Sequence, residues 1–251
     1  MLIKDFEKLT IDAFTEEKLQ FVKDKDEYGF TTMGSDEIKR VGYCTNLTIE
    51  TAGEAARQKV DLLITHHDAW EWMTGMKEEA LDILRKNDIT HFFIHLPLDD
   101  AVFGNNTTIL GKLGFRVVEK FANDDGMYCG RVGELDIPIE FKELAIKLEI
   151  LLEEPVKVWK NNDRLVKRIG VVTGAGFSTT NIEEAVNLDC DVYLTGEKIL
   201  YTVQYAMFRG INLIIGSHTF TEIFGLESLA ELISERYPKL EIIRISEEHV
   251  E

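Results

Sequence analysis

VGYCTNLTIETAGEAARQKVDLLITHH, residues 41–67, decides how this chain folds. VGYCTNLT alternates apolar and polar residues and reads as a strand. Glu50 to Lys59 reads as a helix whose apolar positions are few and small: Ala52, Ala55 and Ala56. DLLITHH is a buried strand that ends in polar residues. Working outward, Met76 to Asn87 is an amphipathic helix, and THFFIHLPLD is a further apolar run that stops at a proline and an acid. Strand, helix, strand, helix, strand is a βαβαβ unit, with parallel strands covered on their faces by helices. The fold class is α/β.

Upstream, Phe6 to Leu19 reads as helix and Lys23 to Gly34 as a charged, glycine-bearing connection. Past Gly114 the texture changes: FRVVEKF, YCGRVGEL, a helix from Glu140 to Glu153 and VKVWK suggest a mixed sheet with one helix. From Lys167 the first rhythm returns. RIGVVTGAG, CDVYLTGE, INLIIGSH and LEIIRIS are strands, separated by helices over Asn181–Leu188, Ile199–Arg209 and Phe220–Arg236. Both ends thus repeat a βα alternation around a middle insert, which makes an internal duplication plausible. The expected division is 1–122 and 123–251, with the last helices packing back across the cleft between the two.

At 251 residues the chain can bury a real core, so no metal is needed to hold it together. The three cysteines, Cys44, Cys129 and Cys190, form no C-x-x-C pair, which excludes a thiolate zinc site of that kind and argues against a disulfide framework. No stretch approaches the roughly 18 apolar residues of a membrane span. The start, MLIKDFEKLTIDAF, has acids where a secretory leader has its apolar core, so the cytoplasm is expected. Twenty-eight Lys and Arg against 45 Asp and Glu give a net charge of −17, which disfavours nucleic acid as a partner. A local cation centre would be needed to hold an anion.

The chemistry collects at strand ends, where ligands of open α/β sheets usually bind. His66 and His67 follow DLLIT. Neighbours on a strand point to opposite faces, so both serve one site only if the backbone departs from regular strand; otherwise one caps the strand and the other is solvated. His218 and Glu222 are four apart and suit a metal clamp on a helix. Thr219 and Glu222 equally match a capping box. After HLPL either Asp99 or Asp100 is a candidate ligand, or a simple helix-start charge. His95 and Glu197 stand near these segments. Glu197 could orient a histidine, shuttle a proton or cap the next helix. Gly174-Ala175-Gly176 lacks the full G-x-G-x-x-G spacing and reads as a tight turn rather than a nucleotide loop. Three imidazoles and two carboxylates are the ligands two borderline divalent ions would use. Such ions would also attract phosphate or another anion despite the acidic surface.

These segments in this order resemble the Nif-three-like family, whose members are often labelled type-two homologues of GTP cyclohydrolase I. The resemblance spans VGYCTNLT, ETAGEAARQKVDLLITHHDAW, FFIHLPLDDAVFGNNTTILGKLGF, VVTGAG, DVYLTGEKILYTVQYAMFRGINLIIGSH and TFTEIFGLESLAELI. It implies two related, interwoven α/β units with a metal cleft between them, and a ring-shaped homohexamer. It implies dinuclear ligands at His66, His67, Asp99, His218 and Glu222, with His95 and Glu197 nearby in catalytic roles. Asp68 follows the histidine pair where many relatives have Pro or Gly, and could add a carboxylate. The implied function is a metal-dependent hydrolase of a nucleotide-like or phosphate-bearing substrate, with ring-opening hydrolysis of GTP as the labelled reaction. A metal carrier or insertion factor without turnover is the alternative. Zinc, iron, manganese and nickel all suit such donors.

Overall fold

A computed structural model describes residues 1–23, 25–124 and 126–250. The chain folds as two compact units, 1–101 with 226–248, and 102–225 with 249–251. Among the described residues, no helix is long and apolar enough to cross a membrane.

The first unit opens with α1 (Ile3–Phe14) and α2 (Glu16–Val22), followed by β1 (Tyr28–Thr32), β2 (Arg40–Asn46) and α3 (Ile49–Arg57). It continues with β3 (Leu62–His67), α4 (Met76–Lys86), β4 (Thr90–Ile94) and α5 (Leu96–Asp100). The second unit carries α6 (Asn105–Lys112), β5 (Arg116–Asp124), β6 (Met127–Ile139), α7 (Phe141–Leu152) and β7 (Lys157–Trp159). Then come β8 (Val166–Val172), α8 (Thr179–Asn187), β9 (Val192–Thr195), α9 (Leu200–Arg209), β10 (Asn212–Ile215) and α10 (His218–Thr221). Finally α11 (Ile223–Arg236) leads back to the first unit, where β11 (Glu241–Arg244) ends the regular structure.

The sheet of the first unit has the order β1-β4-β3-β2-β11. β2, β3, β4 and β11 run parallel, in register Val41 with Leu62 and Leu63 with His91. Every residue of β3 is buried, as a parallel strand covered on both faces requires. On one face the small residues Ala52, Ala55 and Ala80 let α3 and α4 approach, and they pack with Leu63, Leu84 and Ile89. On the other, Phe6 of α1 meets Phe92 edge-on at 5.1 Å, with Phe30 beside it. Removing Leu63 to alanine from this packing would destabilise by roughly 2–5 kcal/mol.

The second sheet has the order β5-β6-β8-β9-β10-β7. Its centre, β8, β9 and β10, is again parallel, while β5, β6 and β7 are antiparallel edges. Both units therefore contain the strand, helix, strand, helix, strand run expected from the sequence.

Four expectations change. Residues 23–34 are not simply a connection, because Tyr28–Thr32 pairs antiparallel with β4 and sets the half-buried Phe30 against the aromatic cluster. The strand after α4 does not run on to the acid: it ends at Ile94, and Pro97 sits in the first turn of α5. The last long helix is broken at Glu222 into α10 and α11. The division also differs from one cut at 122. Residues 102–122 belong to the second unit because β5 pairs with β6, and 226–248 return to the first because β11 pairs with β2.

Candidate metal centre

In the first unit, His66 and His67 close β3 and His95 follows β4. β3 keeps its pairing with β2 as far as His67, but its pairing with β4 ends at Thr65. The rings of His66 and His67 lie 4.6 Å apart, with His95 4.9 Å from the first and 5.3 Å from the second. The three residues offer ligand atoms that all lie within 4.8 Å of one another. Thus the pair does converge, with neither histidine left at the surface: His66 is 0% and His67 4% exposed.

Each ring is held by its Nδ1. His66 Nδ1 is 2.9 Å from the Ile94 carbonyl oxygen, His67 Nδ1 is 2.8 Å from Asn46 Oδ1, and His95 Nδ1 is 2.6 Å from Glu27 Oε2. All three partners are oxygen acceptors, so each Nδ1 carries the proton, an assignment drawn from the partners. Nε2 is then the lone-pair nitrogen, which in His66 and His67 would bind an ion. Burial works to raise the Glu27 carboxyl, but the hydrogen bonds it accepts from His95 and the Leu96 N–H help to outweigh it, and it lies below the usual value.

Asp99, buried in α5, places Oδ1 3.7 Å from His66 Nε2. Asp100 instead pairs with Lys18 at 2.5 Å. Of the two acids, Asp99 lies beside His66 and Asp100 beside Lys18. Asp68 does not add an uncompensated carboxylate. It is 2.8 Å from Lys77 Nζ and accepts from the Ala69 N–H.

In the second unit, Ser217 caps α10 by accepting from the Phe220 N–H. Glu222, buried, stands just past the end of this short helix with Oε2 3.0 Å from His218 Nε2. The capping-box alternative for Thr219 and Glu222 is thus not adopted. Glu197 Oε1 is 2.6 Å from His218 Nδ1, while at the start of α9 the Ile199 N–H donates to Thr202 Oγ1, so Glu197 faces a histidine and is not the cap of that helix. The His218 ring accordingly stands between two carboxylates. Burial alone would lower its pKa, but the Glu222 charge and the hydrogen bonds to Glu197 and Glu222 raise it to about 11.

The glycine turn bears on this pair. Gly174 has φ +60, and a Cβ there would lie 1.8 Å from Glu222 Oε1 and 2.9 Å from His218 Nε2. Its N–H donates to Thr221 Oγ1, and its carbonyl accepts from the Thr195 hydroxyl and the Gly196 N–H. The turn is a cradle for the His218–Glu222 pair, and only glycine fits there.

Three groups carry no site signal of their own in the sequence. Glu27 falls in the charged connection and Asn46 inside a strand. Gly174 was read only as a turn, although its place after a strand end was a usable signal. His91, by contrast, is no strand-end ligand: it lies within β4 between Thr31 Oγ1 at 2.5 Å and Thr65 Oγ1 at 2.8 Å. Burial lowers its pKa to about 4, so it is a neutral core residue.

The donor set in each unit is imidazole and carboxylate, with the imidazoles pre-oriented through Nδ1, and this fits a borderline divalent ion. A family model described as Duf34/NIF3 (NGG1p interacting factor 3) matches residues 1–250. The chain belongs to the NIF3 family. Its NIF3 relatives include a protein of Archaeoglobus fulgidus, 28% identical over 231 residues, which are 90% of this chain and 91% of that one. Another, from Haemophilus influenzae, is 30% identical over 241 residues, 91% of this chain and 94% of that one. Both are named GTP cyclohydrolase 1 type 2 homolog. Among solved structures, a structural-genomics protein called ybgI, of unknown function, is similar with a TM-score of 0.85 at 26% identity, covering 99% of each chain. The mixed α/β architecture with two sheets is thus that of the NIF3 proteins.

Proposed function

We propose that this NIF3 protein holds two divalent ions through His66, His67, Asp99, His218 and Glu222 and hydrolyses a nucleotide-like, phosphate-bearing substrate. The observation that carries this reading is the group of three buried or half-buried imidazoles within 4.8 Å, each pinned by Nδ1 to an acceptor. Such pinning sets ring direction and raises ligand basicity. When bound, the ions would supply Lewis acidity and ionise water near neutral pH. His95, steadied by Glu27, is the group assigned to proton transfer at Nε2; Glu197 keeps the His218 ring in place. GTP enters as a substrate through the name its relatives carry, and fold alone does not fix a reaction.

The loop after His67 supports a planar ring in the substrate. Trp70 lies over His67 at 4.6 Å, and Trp72 stacks on Trp70 at 5.0 Å with planes 24° apart. Trp72 is 77% exposed and presents a flat apolar face, suited to a nucleobase. An anionic small molecule and further copies of this chain are the partners this reading carries, and the cytoplasm its setting.

The alternative, a carrier that passes its ion on, calls for accessible donors that exchange readily. The burial of His66, His67, Asp99 and Glu222 favours a resident ion instead. Elemental analysis of wild type and Glu222→Ala tests the metal reading: about two ions per chain are expected, with a clear loss in the variant. Unchanged content in Glu222→Ala would overturn the ligand assignment. Formate release from GTP by metal-loaded protein, absent in His66→Ala, tests the ring-opening reaction; equal release from both would sink it.

A further inference from the structure

The tail that follows β11 brings a carboxylate to the end of β2. Glu247 accepts from the Thr45 N–H at 2.7 Å, from the Asn46 N–H at 2.9 Å, and from the Asn46 side-chain amide, Nδ2, at 2.9 Å. The other end of that amide, Oδ1, lies 2.8 Å from His67 Nδ1. A side-chain amide is ambivalent, since one end donates and the other accepts, and either end can face either neighbour. An ionised carboxylate has no such choice. Turning Asn46 over would set Oδ1 against the Glu247 oxygens, two acceptors face to face, so Glu247 fixes which end of Asn46 meets His67. That end is an oxygen, and His67 must answer it with an Nδ1 proton.

We infer that Glu247 is a positioning residue for metal binding: by orienting the Asn46 amide it holds His67 in the Nδ1–H tautomer that presents Nε2 to an ion. The inference rests on the metal reading above, but the tautomer itself does not. An aspartate at position 46 would accept from His67 with either oxygen and need no help. With asparagine there, the necessary charge stands one residue further out and reaches His67 through the amide. Burial pushes the Glu247 carboxyl above its usual value, against the pull of its three N–H donors, so the tautomer is best read in mildly alkaline solution.

The test uses the full chain, stripped with a chelator, and the ring ¹⁵N NMR signals of His67, assigned by comparison with His67→Gln. Wild type should show a protonated Nδ1 and a lone-pair Nε2. In Glu247→Ala no acceptor remains beside Asn46 Nδ2, so Asn46 is free to turn over; a glutamine would not serve, because its oxygen can stay where the Asn46 N–H and side-chain amide both donate. The His67 signals should then shift toward the opposite tautomer, and zinc affinity, measured by competition with a chromogenic chelator, should fall about tenfold. Asn46→Asp combined with Glu247→Ala should restore both. His66, held by a backbone carbonyl, should keep its signals throughout, which separates the relay from general loosening.

Wild-type His67 protonated on Nε2 would overturn the proposal without any variant, even if Glu247→Ala does not fold. So would a folded Glu247→Ala with unchanged signals. A tautomer shift as expected in a protein that takes up no zinc would instead overturn the metal reading and leave the hold of Glu247 on His67 standing.

Discussion

A Cβ on Gly174 would lie 1.8 Å from Oε1 of Glu222, so the turn after β8 and the carboxylate after α10 occupy complementary space. The same turn, at φ +60, is backbone that side chains rarely adopt. Gly174→Ala should therefore act twice, straining its own backbone and displacing Glu222. The expected outcome is a melting temperature lower by a few degrees, corresponding to about 1 kcal/mol in a chain of this size, together with zinc affinity reduced at least tenfold. Thermal melts of chelated protein and a chelator competition check the two parts separately. A normal zinc affinity in Gly174→Ala would show that Glu222 is not a ligand, or that it has room to move aside.

His218 gives a proton-linked prediction. Its folded pKa of about 11 lies above the unfolded value of about 6.5, because Glu222 and Glu197 outweigh burial. The stability this contributes to metal-free protein is full below the unfolded pKa and is lost as pH rises through the folded one. An ion at Nε2 takes the place of that proton. Uptake at about pH 8 should therefore release roughly one proton per chain from His218, read by calorimetry in two buffers of different ionisation enthalpy. Glu197→Gln, which removes one of the two carboxylates, should reduce the release. Uptake with no dependence on buffer would contradict this account of the ring.

What was legible in the sequence followed from period and chemistry. The β3 run LLITHH and the α3 alanines announced a parallel, helix-covered sheet, and the histidine and acid donors were visible as strand-end residues. The rest depended on long-range pairing. Tyr28–Thr32 is a strand because β4 is there to pair with it, and nothing in its own charged surroundings says so. The choice between Asp99 and Asp100 turns on Lys18, 82 residues away from Asp100. The supports of the histidine rings, Glu27, Asn46 and Glu247, come from three separate parts of the chain and share no local pattern. Even the capping box at Thr219 was a sound local reading, displaced because Ser217 started the helix two residues earlier.

His91 offers a stability test that is independent of any ion. Burial lowers its folded pKa to about 4, below the unfolded value of about 6.5. The unfolded chain thus takes up a proton that the folded one resists. The contribution is full above about pH 6.5 and is lost as pH falls from there toward 4, on the order of 3 kcal/mol in total. His91→Gln should lack this component, so its denaturant midpoint should change less than that of wild type across the window. Parallel pH profiles for the two proteins in chelator would show that His91 is not the neutral core residue described here.

Trp72 tests the substrate class. Because it is 77% exposed and stacks through only part of its surface on Trp70, Trp72→Ala should leave folding and metal content unchanged. If the outer face of this indole receives a base, the variant should bind GTP about tenfold more weakly, in line with the roughly 1–3 kcal/mol of a base–aromatic stack. Inorganic triphosphate, which has no ring to stack, should bind wild type and variant alike. The stack also separates two versions of the chemistry. A base on the outer face of Trp72 stands three ring spacings from His67, which places the phosphates rather than the purine carbon toward the histidines. Quenching of tryptophan fluorescence by GTP but not by triphosphate, lost in Trp72→Ala, would then favour phosphate-ester hydrolysis over ring opening. Equal quenching in wild type and variant would remove Trp72 from the substrate site and leave ring opening the better fit.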